Sequence, residues 1–317
     1  MLILFTSLKK LPLLFFSLFL SLSVIGKAQS EPARPPILGK LVDAGGYRVH
    51  IYCTGAGSPT VVVAGGGFSF DWGLVQPEVA KFARVCTYDA AGTAWSDRVE
   101  EHPHQWCADR IGELHTVLKN AGIESPYVVV GFSIGALVAR LYAIRYPAEL
   151  FGMVLVDHAF TDTDGAVESS AQDLLPPAGL DSPPILISKT PIALDLEDDR
   201  NFSKLPERGQ ELHRWTLSIH SVRPTVEMAD ECFSEVDASE HKLPFPLGNM
   251  PLVVVSTLYD SPRYKELQRK LLMLSHNSEQ LFAKNSSHMV IIDQPEIVVR
   301  AIQEVVKKAK SRTGLKK

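Results

Sequence analysis

The chain has 317 residues, of which 45% are hydrophobic, enough to bury the core of one large α/β domain with an insertion or of two small domains. Its formal charge is −4, and the basic residues between 307 and 317 are more simply explained as a solvated C-terminal end than as a binding surface. The composition therefore gives no indication of a nucleic-acid partner.

The first 28 residues are typical of a secretory signal peptide. Lys9 and Lys10 precede an apolar run over 11–25, and Gly26-Lys27-Ala28 puts small residues at the two positions that a signal peptidase reads. We expect cleavage after Ala28 and an exported mature chain, periplasmic or secreted, without stable membrane insertion. The alternative is an uncleaved membrane anchor, although the apolar run is shorter than the roughly 20 residues that span a bilayer.

Four cysteines in an exported chain suggest disulfide bonds. They are Cys53, Cys86, Cys107 and Cys232, and four cysteines allow three pairings. The sequence does not choose among these pairings, and buried free thiols fit it equally well.

Downstream of a Pro-rich linker at 31–36, strand-like and helix-like runs alternate. Strands are predicted at 39–42, 47–53, 59–64, 83–88, 127–130, 153–156, 251–255 and 281–283. Helices are predicted at 107–122, at 136–144, from about Pro262, and along a final apolar stripe of Ile297, Ala301 and Val305. The alternation predicts a doubly wound, mostly parallel α/β sheet.

The stretch 158–249 interrupts this alternation. It is rich in Pro, Asp and Ser at first and then helical from about 207 to 233. So long a connection in a compact domain is usually functional, and we interpret it as a helical cap over the carboxyl ends of the strands. The predicted organisation is a signal peptide at 1–28, a core at 29–157 and 250–317, and a cap insertion at 158–249.

The strongest chemical signal is Gly131-Phe132-Ser133-Ile134-Gly135, between a predicted strand and a predicted helix. A sharp strand-to-helix turn needs small flanking residues, and it presents the serine hydroxyl at a helix N-terminus that favours negative charge. Ser133 is therefore the candidate nucleophile.

An activated serine needs a base, and the base needs an anion that orients it. His288 follows the last predicted strand, in a loop, and is the candidate base. Asp260 and Asp157 each follow a predicted strand and could supply the anion. Other polar residues have simpler interpretations: Asp293 and Glu296 as a helix capping pair, and His213 and His220 as solvated or lid-packing residues.

The motif and the chain order Ser133, Asp260, His288 resemble the α/β-hydrolase superfamily over nearly the whole mature chain. Further matching stretches are Val61 to Gly67 with Asp71-Trp72, Asp89 to Ser96, Leu155 to Asp157, and Ser287-His288 followed by Asp293 to Glu296. The resemblance implies an eight-stranded, mostly parallel sheet with helices on both faces and the insertion as a lid. It also favours Asp260 over Asp157 as the acid.

The resemblance further implies an oxyanion hole made of two backbone N–H groups. One belongs to Ile134, and the other belongs to Gly66 or, if the loop is shifted by one residue, to Gly67. The family's usual His-Gly before this donor is Ala64-Gly65 here.

The expected activity is hydrolysis of carboxylic esters of small or medium apolar substrates through an acyl-enzyme, without a metal or other cofactor. A serine at this turn argues against the dehalogenases and epoxide hydrolases of this fold, which have aspartate there. Two alternatives remain: an exported aminopeptidase resembling proline iminopeptidases, which needs acidic cap residues, and a hydrolase-like ligand-binding protein without turnover. The sequence does not indicate the oligomeric state.

Overall fold

The computed structural model describes residues 33–99, 106–158, 202–219, 226–240, 245–258 and 262–313. The predicted signal peptide and the first half of the predicted cap lie outside these ranges. Within them, no helix combines the length and the apolar character needed to cross a membrane.

One sheet of eight strands forms the centre of the protein. The strands are β1 (Lys40–Asp43), β2 (Arg48–Thr54), β3 (Thr60–Val63), β4 (Val85–Asp89), β5 (Tyr127–Phe132), β6 (Leu150–Val156), β7 (Leu252–Thr257) and β8 (Ser278–Ala283). Their spatial order is β1-β2-β4-β3-β5-β6-β7-β8. Strand β2 is antiparallel to both neighbours and the other pairings are parallel, as the predicted mostly parallel sheet requires.

Helices cover both faces of the sheet. They are α1 (Gln76–Val79), α2 (Trp106–Asn120), α3 (Gly135–Arg145), α4 (Glu207–Ile219), α5 (Val226–Glu240), α6 (Pro262–Leu272), α7 (Val290–Asp293) and α8 (Pro295–Thr313). The helical stretch predicted at 207–233 is thus two helices, of which the second continues to Glu240.

The central strands are apolar throughout because both of their faces are buried. On β5, Val129 packs with α2 and α3 on one face, whereas Val128 and Val130 pack with α8 on the other. This alternation lets one continuous apolar run serve two hydrophobic cores.

Two disulfides resolve the pairing that the sequence left open. Cys53 and Cys86 face each other on β2 and β4, with their Cα atoms 4.0 Å apart. Cys107 on α2 is bonded to Cys232 on α5, with a Cα separation of 5.4 Å. Helix α5 also packs against α3, so this part of the predicted cap is fixed to the core.

Candidate active site

The turn between β5 and α3 carries Ser133 in a left-handed backbone conformation, with φ of 52°. A Cβ atom at Gly131 would lie 2.4 Å from the carbonyl oxygen of Gly135, and one at Gly135 would lie 2.2 Å from the carbonyl of Gly65. Neither flanking position can hold a side chain, which explains the two glycines of the motif.

Ser133, His288 and Asp157 form a hydrogen-bonded series. Nε2 of His288 lies 2.9 Å from the Ser133 hydroxyl, and Nδ1 lies 2.7 Å from Oδ2 of Asp157. A carboxylate only accepts hydrogen bonds, so Nδ1 carries the proton and Nε2 is free to accept the proton of the serine. The Asp157 side chain is 2% exposed, whereas that of His288 is 23% exposed and can meet a substrate.

The second oxygen of Asp157 is also engaged. Oδ1 accepts hydrogen bonds from the hydroxyl of Thr257, at 3.0 Å, and from the hydroxyl of Tyr264. Burial, together with the neighbouring Asp157 charge, raises the pKa of Tyr264 far above its ordinary value, so the phenol stays a proton donor. No sequence motif marked Thr257 or Tyr264, because their role depends on where β7 and α6 lie relative to β6.

The carboxylate on His288 is thus that of Asp157, the alternative that the sequence ranked second. Asp260, the favoured acid, lies outside the described residues. The physical reason is proximity: β6 is the direct neighbour of β5, and the backbone N–H of Ser133 donates to the carbonyl of Val156 at 3.1 Å. Asp157 therefore leaves the sheet next to the serine.

The loop of Gly65, Gly66 and Gly67, which we call the oxyanion loop, passes beside the start of α3. All three residues have positive φ angles, of 121°, 89° and 92°. A Cβ atom at Gly135 would lie 2.7 Å from the nitrogen of Gly66, so this amide is close to Ile134 and the first turn of α3. Within the described part of the chain, neither the Gly66 nor the Ile134 N–H has a hydrogen-bond acceptor.

Asp293 supports the loop that carries His288. Its Oδ2 atom accepts hydrogen bonds from the N–H and the hydroxyl of Ser287, at 2.9 and 2.5 Å, and the same hydroxyl accepts the N–H of Met289. The predicted capping pair of Asp293 with Glu296 is therefore wrong, since Asp293 holds the histidine loop and Glu296 is contacted by Gln294.

Three further polar predictions concern the cap. His213 is 4% exposed, so it is a buried packing residue, and His220 lies outside the described residues. Of the acidic cap residues that could bind a substrate amine, those at 195–199 also lie outside the described residues, and Glu211 is an exposed partner of Arg208.

Among the described residues, no group of three or more His, Cys, Asp or Glu side chains could hold a metal ion.

An α/β sheet that carries a serine in a sharp strand-to-helix turn, hydrogen-bonded to a histidine and then an aspartate, is typical of the α/β-hydrolase class. A family model described as "alpha/beta hydrolase fold" matches residues 59–295, and the chain belongs to this family. Family membership supports a hydrolase activity.

Two curated relatives illustrate the sequence similarity. An uncharacterised protein of Bacillus subtilis, YqjL, is 27% identical over 257 residues, which cover 79% of this chain and 84% of that protein. The 2-hydroxymuconate semialdehyde hydrolase of a Pseudomonas species is 32% identical over 147 residues, covering 43% of this chain and half of the relative.

Solved structures agree on the fold. A thermophilic esterase from Thermogutta terrifontis superposes with a TM-score of 0.59 at 19% identity, covering 85% of this chain and 98% of the esterase. The meta-cleavage product hydrolase of Pseudomonas fluorescens also has a TM-score of 0.59, at 20% identity, with 86% and 98% covered. At these identities the likeness concerns the fold alone.

Proposed function

We propose that the protein is a serine hydrolase that cleaves carboxylic esters of small or medium apolar substrates. The observation that carries this proposal is the series Ser133 to His288 to Asp157, with distances of 2.9 and 2.7 Å. In this assignment Asp157 takes the role that the sequence analysis predicts for Asp260.

The first step is acylation of the serine. His288 Nε2 accepts the Ser133 proton while Oγ attacks the carbonyl carbon of the ester, and Asp157 stabilises the resulting imidazolium. The tetrahedral intermediate collapses when the alkoxide leaves and takes the proton from Nε2. Water then attacks the acyl carbonyl carbon while giving a proton to Nε2. The second tetrahedral intermediate collapses as Nε2 returns this proton to Ser133 Oγ, which releases the acid and restores the free serine.

The oxyanion is stabilised by the N–H groups of Gly66 and Ile134. Support comes from their unpaired state within the described chain and from the close approach of the Gly66 nitrogen to the start of α3. The helix N-terminus adds a favourable dipole for the negative charge. Losing one such donor typically lowers kcat by about 10²- to 10³-fold.

A second candidate is hydrolysis of a substrate such as 2-hydroxymuconate semialdehyde. The Pseudomonas relative whose name carries this substrate is 32% identical over its matched half. We rank it second because ester hydrolysis needs the fewest pocket residues besides the serine, its base and the oxyanion hole.

We also propose that the mature chain is exported. The two disulfides support this, because such bonds persist mainly in oxidising compartments. The predicted cleavage after Ala28 is tested by N-terminal sequencing of the protein recovered from the extracytoplasmic fraction.

The test of the proposed activity is a substrate panel on the purified mature chain. The panel contains p-nitrophenyl esters from acetate to octanoate, an amino-acid p-nitroanilide and 2-hydroxymuconate semialdehyde. We expect ester turnover to dominate and to fall at least about 10³-fold in Ser133→Ala. The control is Ser311→Ala, at an exposed serine of α8.

Each other result has a defined meaning. Preferred turnover of the semialdehyde selects the second candidate, and preferred turnover of the anilide selects an aminopeptidase. Ester turnover that persists in Ser133→Ala, or no turnover of any substrate by the folded protein, contradicts the proposal.

A further inference from the structure

A second pair of histidine and carboxylate lies outside the proposed triad. Nδ1 of His213, on α4, is 2.9 Å from Oδ1 of Asp71, which belongs to the 3-10 turn Ser69–Trp72. The two side chains are 5% and 2% exposed. A buried carboxylate needs partners for both oxygens, so this pair is expected to fix the two segments against each other.

The second oxygen of Asp71 holds the end of the oxyanion loop. Oδ2 accepts the backbone N–H of Phe68 at 2.8 Å. A Cβ atom at Gly67 would lie 2.9 Å from this same oxygen, so the carboxylate is packed directly against the glycine backbone. Next to it, the indole N–H of Trp72 donates to the carbonyl of Gly66 at 3.2 Å. The backbone orientation of Gly66 and Gly67 therefore depends on residues 71 and 72.

On the cap side, the His213 ring is held by aromatic contacts. It stacks on Phe202 with ring centroids 3.6 Å apart, and it meets the edges of Phe68 and Phe70 at 5.8 and 6.2 Å. Its Nε2 atom is buried and has no hydrogen-bond partner among the described residues. The hydrogen bond to Asp71 is thus the polar contact that sets the orientation of this ring.

We propose that His213 and Asp71 are positioning residues through which helix α4 holds the oxyanion loop in its active conformation. This inference rests on the proposed serine hydrolase function. One carboxylate joins the cap to the loop, because Oδ1 binds His213 and Oδ2 binds Phe68. Docking of α4 on the core then completes the site, and a displaced α4 leaves the N–H of Gly66 misaligned.

We expect a misaligned Gly66 N–H to destabilise the transition state rather than the bound substrate. The ester carbonyl gains full negative charge only in the tetrahedral intermediate, so a misaligned donor lowers kcat more than it weakens substrate binding. Among the described residues, no hydrogen bond joins His213 or Asp71 to Ser133, His288 or Asp157. The proton transfer through His288 is therefore expected to stay intact.

The test compares three substitutions at one position. His213→Asn keeps an N–H near the place of Nδ1, His213→Gln keeps a polar amide but moves it away, and His213→Phe keeps the ring without the N–H. The matched control is His115→Phe on α2, where the histidine also stacks on an aromatic ring, that of Tyr146, and contacts a carboxylate, that of Glu149. Glu149 directly precedes the amino end of β6, whereas Asp157 directly follows its carboxyl end. The control therefore lies at the other end of this strand from the proposed triad.

The measurements are kcat and KM for the best ester, and the inhibition constant of a trifluoromethyl ketone of matched shape. Ser133 Oγ adds to the ketone carbonyl, its proton passes to His288, and the adduct places an oxyanion where the ester would. We expect His213→Phe and His213→Gln to lower kcat about 10- to 100-fold, with KM changed less than about threefold. The ketone should bind more weakly by about the same factor as kcat falls.

Two results would complete the support. His213→Asn should recover most of the lost kcat, and the midpoint of the acid limb of the pH profile should stay that of the unchanged protein, because His288 and Asp157 are untouched. Folded His213→Phe or His213→Gln protein with unchanged kcat and ketone affinity overturns the inference alone. An equal fall in the His115→Phe control also overturns it. Absence of Ser133-dependent turnover in the unchanged protein overturns the proposed function and this inference with it.

Discussion

At the residue scale, the orientation of His288 depends on the side chain that accepts its Nδ1 proton. That acceptor is Asp157, which is 2% exposed and receives further hydrogen bonds from Thr257 and Tyr264. A carboxylate held by these donors is fixed in place to accept the Nδ1 proton, which keeps the catalytic tautomer of the histidine. We therefore propose Asp157, rather than Asp260, as the acid of the mechanism.

Replacing the two aspartates separately tests this assignment. Asp157→Asn should lower kcat about 10³- to 10⁴-fold, because an amide can donate to Nδ1 and so favours the wrong tautomer. Asp260→Asn should stay within about threefold of the unchanged protein, since its carboxylate is not needed for orientation. Steady-state kinetics on the best ester decides, and the reverse pattern would restore Asp260 as the acid.

Tyr264 offers a second test at this scale. Tyr264→Phe removes a donor to the Asp157 carboxylate, and hydrogen bonds to carboxylates contribute about 1.5–3 kcal/mol. We expect kcat to fall about tenfold with KM little changed.

The control for Tyr264 is Tyr127→Phe, which removes a buried hydrogen bond to the carbonyl of Ile123. It should lower the free energy of unfolding by about 1 kcal/mol without changing kcat. If Tyr264→Phe leaves kcat unchanged, Asp157 does not need this donor.

The sequence identified Ser133 and His288 because each has a local signature: a glycine-flanked turn after a strand, and a loop before the last helix. The pair is within hydrogen-bond distance in the structure. The choice between Asp157 and Asp260 depends on which strand neighbours β5, and His213, Asp71 and Tyr264 act through contacts between distant segments. No local pattern contains that information.

At the element scale, the turn from β5 to α3 lies in close backbone contact with the oxyanion loop. A Cβ atom at Gly135 would lie 2.2 Å from the carbonyl carbon and oxygen of Gly65. Backbone cannot move aside as a flexible side chain can, so any substitution displaces either the helix or the loop.

Gly135→Ala is therefore expected to destabilise the protein by more than about 2 kcal/mol and to lower kcat by at least about tenfold. Its control is Gly112→Ala in the middle of α2, where an added Cβ would meet nothing within 4 Å. That variant should raise the free energy of unfolding by about 0.5–1 kcal/mol, because alanine is the better helix former. Urea unfolding and ester kinetics of both variants provide the comparison, and a harmless Gly135→Ala would refute the close contact.

The central elements were predictable because their signals are strong. Apolar runs such as 59–64 and 127–130 coincide with β3 and β5, which are buried on both faces. The predicted helical stretch at 207–233 was less accurate, since the apolar periodicity of α4 and α5 does not reveal where one helix ends and the next begins. Helix α4 contacts the 3-10 turn Ser69–Trp72, whereas α5 contacts α2 and α3, and these contacts cannot be read from the sequence.

At the scale of the whole molecule, the two disulfides close loops of very different length along the chain. Cys53 and Cys86 are 33 residues apart, whereas Cys107 and Cys232 are 125 residues apart and join α2 to α5. In the chain-entropy description, a longer closed loop restricts the unfolded chain more strongly.

We expect the double variant Cys107→Ser with Cys232→Ser to lose about 4–5 kcal/mol of unfolding free energy, and Cys53→Ser with Cys86→Ser about 3–4 kcal/mol. Urea unfolding under non-reducing conditions measures both differences. If removing the longer bond proves no more destabilising than removing the shorter one, the entropic account of these two bonds is incorrect.

Labelling with a fluorophosphonate is the most direct test of the central claim that Ser133 is an activated nucleophile. The purified mature protein is treated with the reagent, digested, and the modified peptide is identified by mass spectrometry, with Ser133→Ala and His288→Ala in parallel. We expect a stoichiometric adduct on Ser133 in the unchanged protein and none in either variant. An adduct on another serine, or a folded protein that does not react, would contradict it.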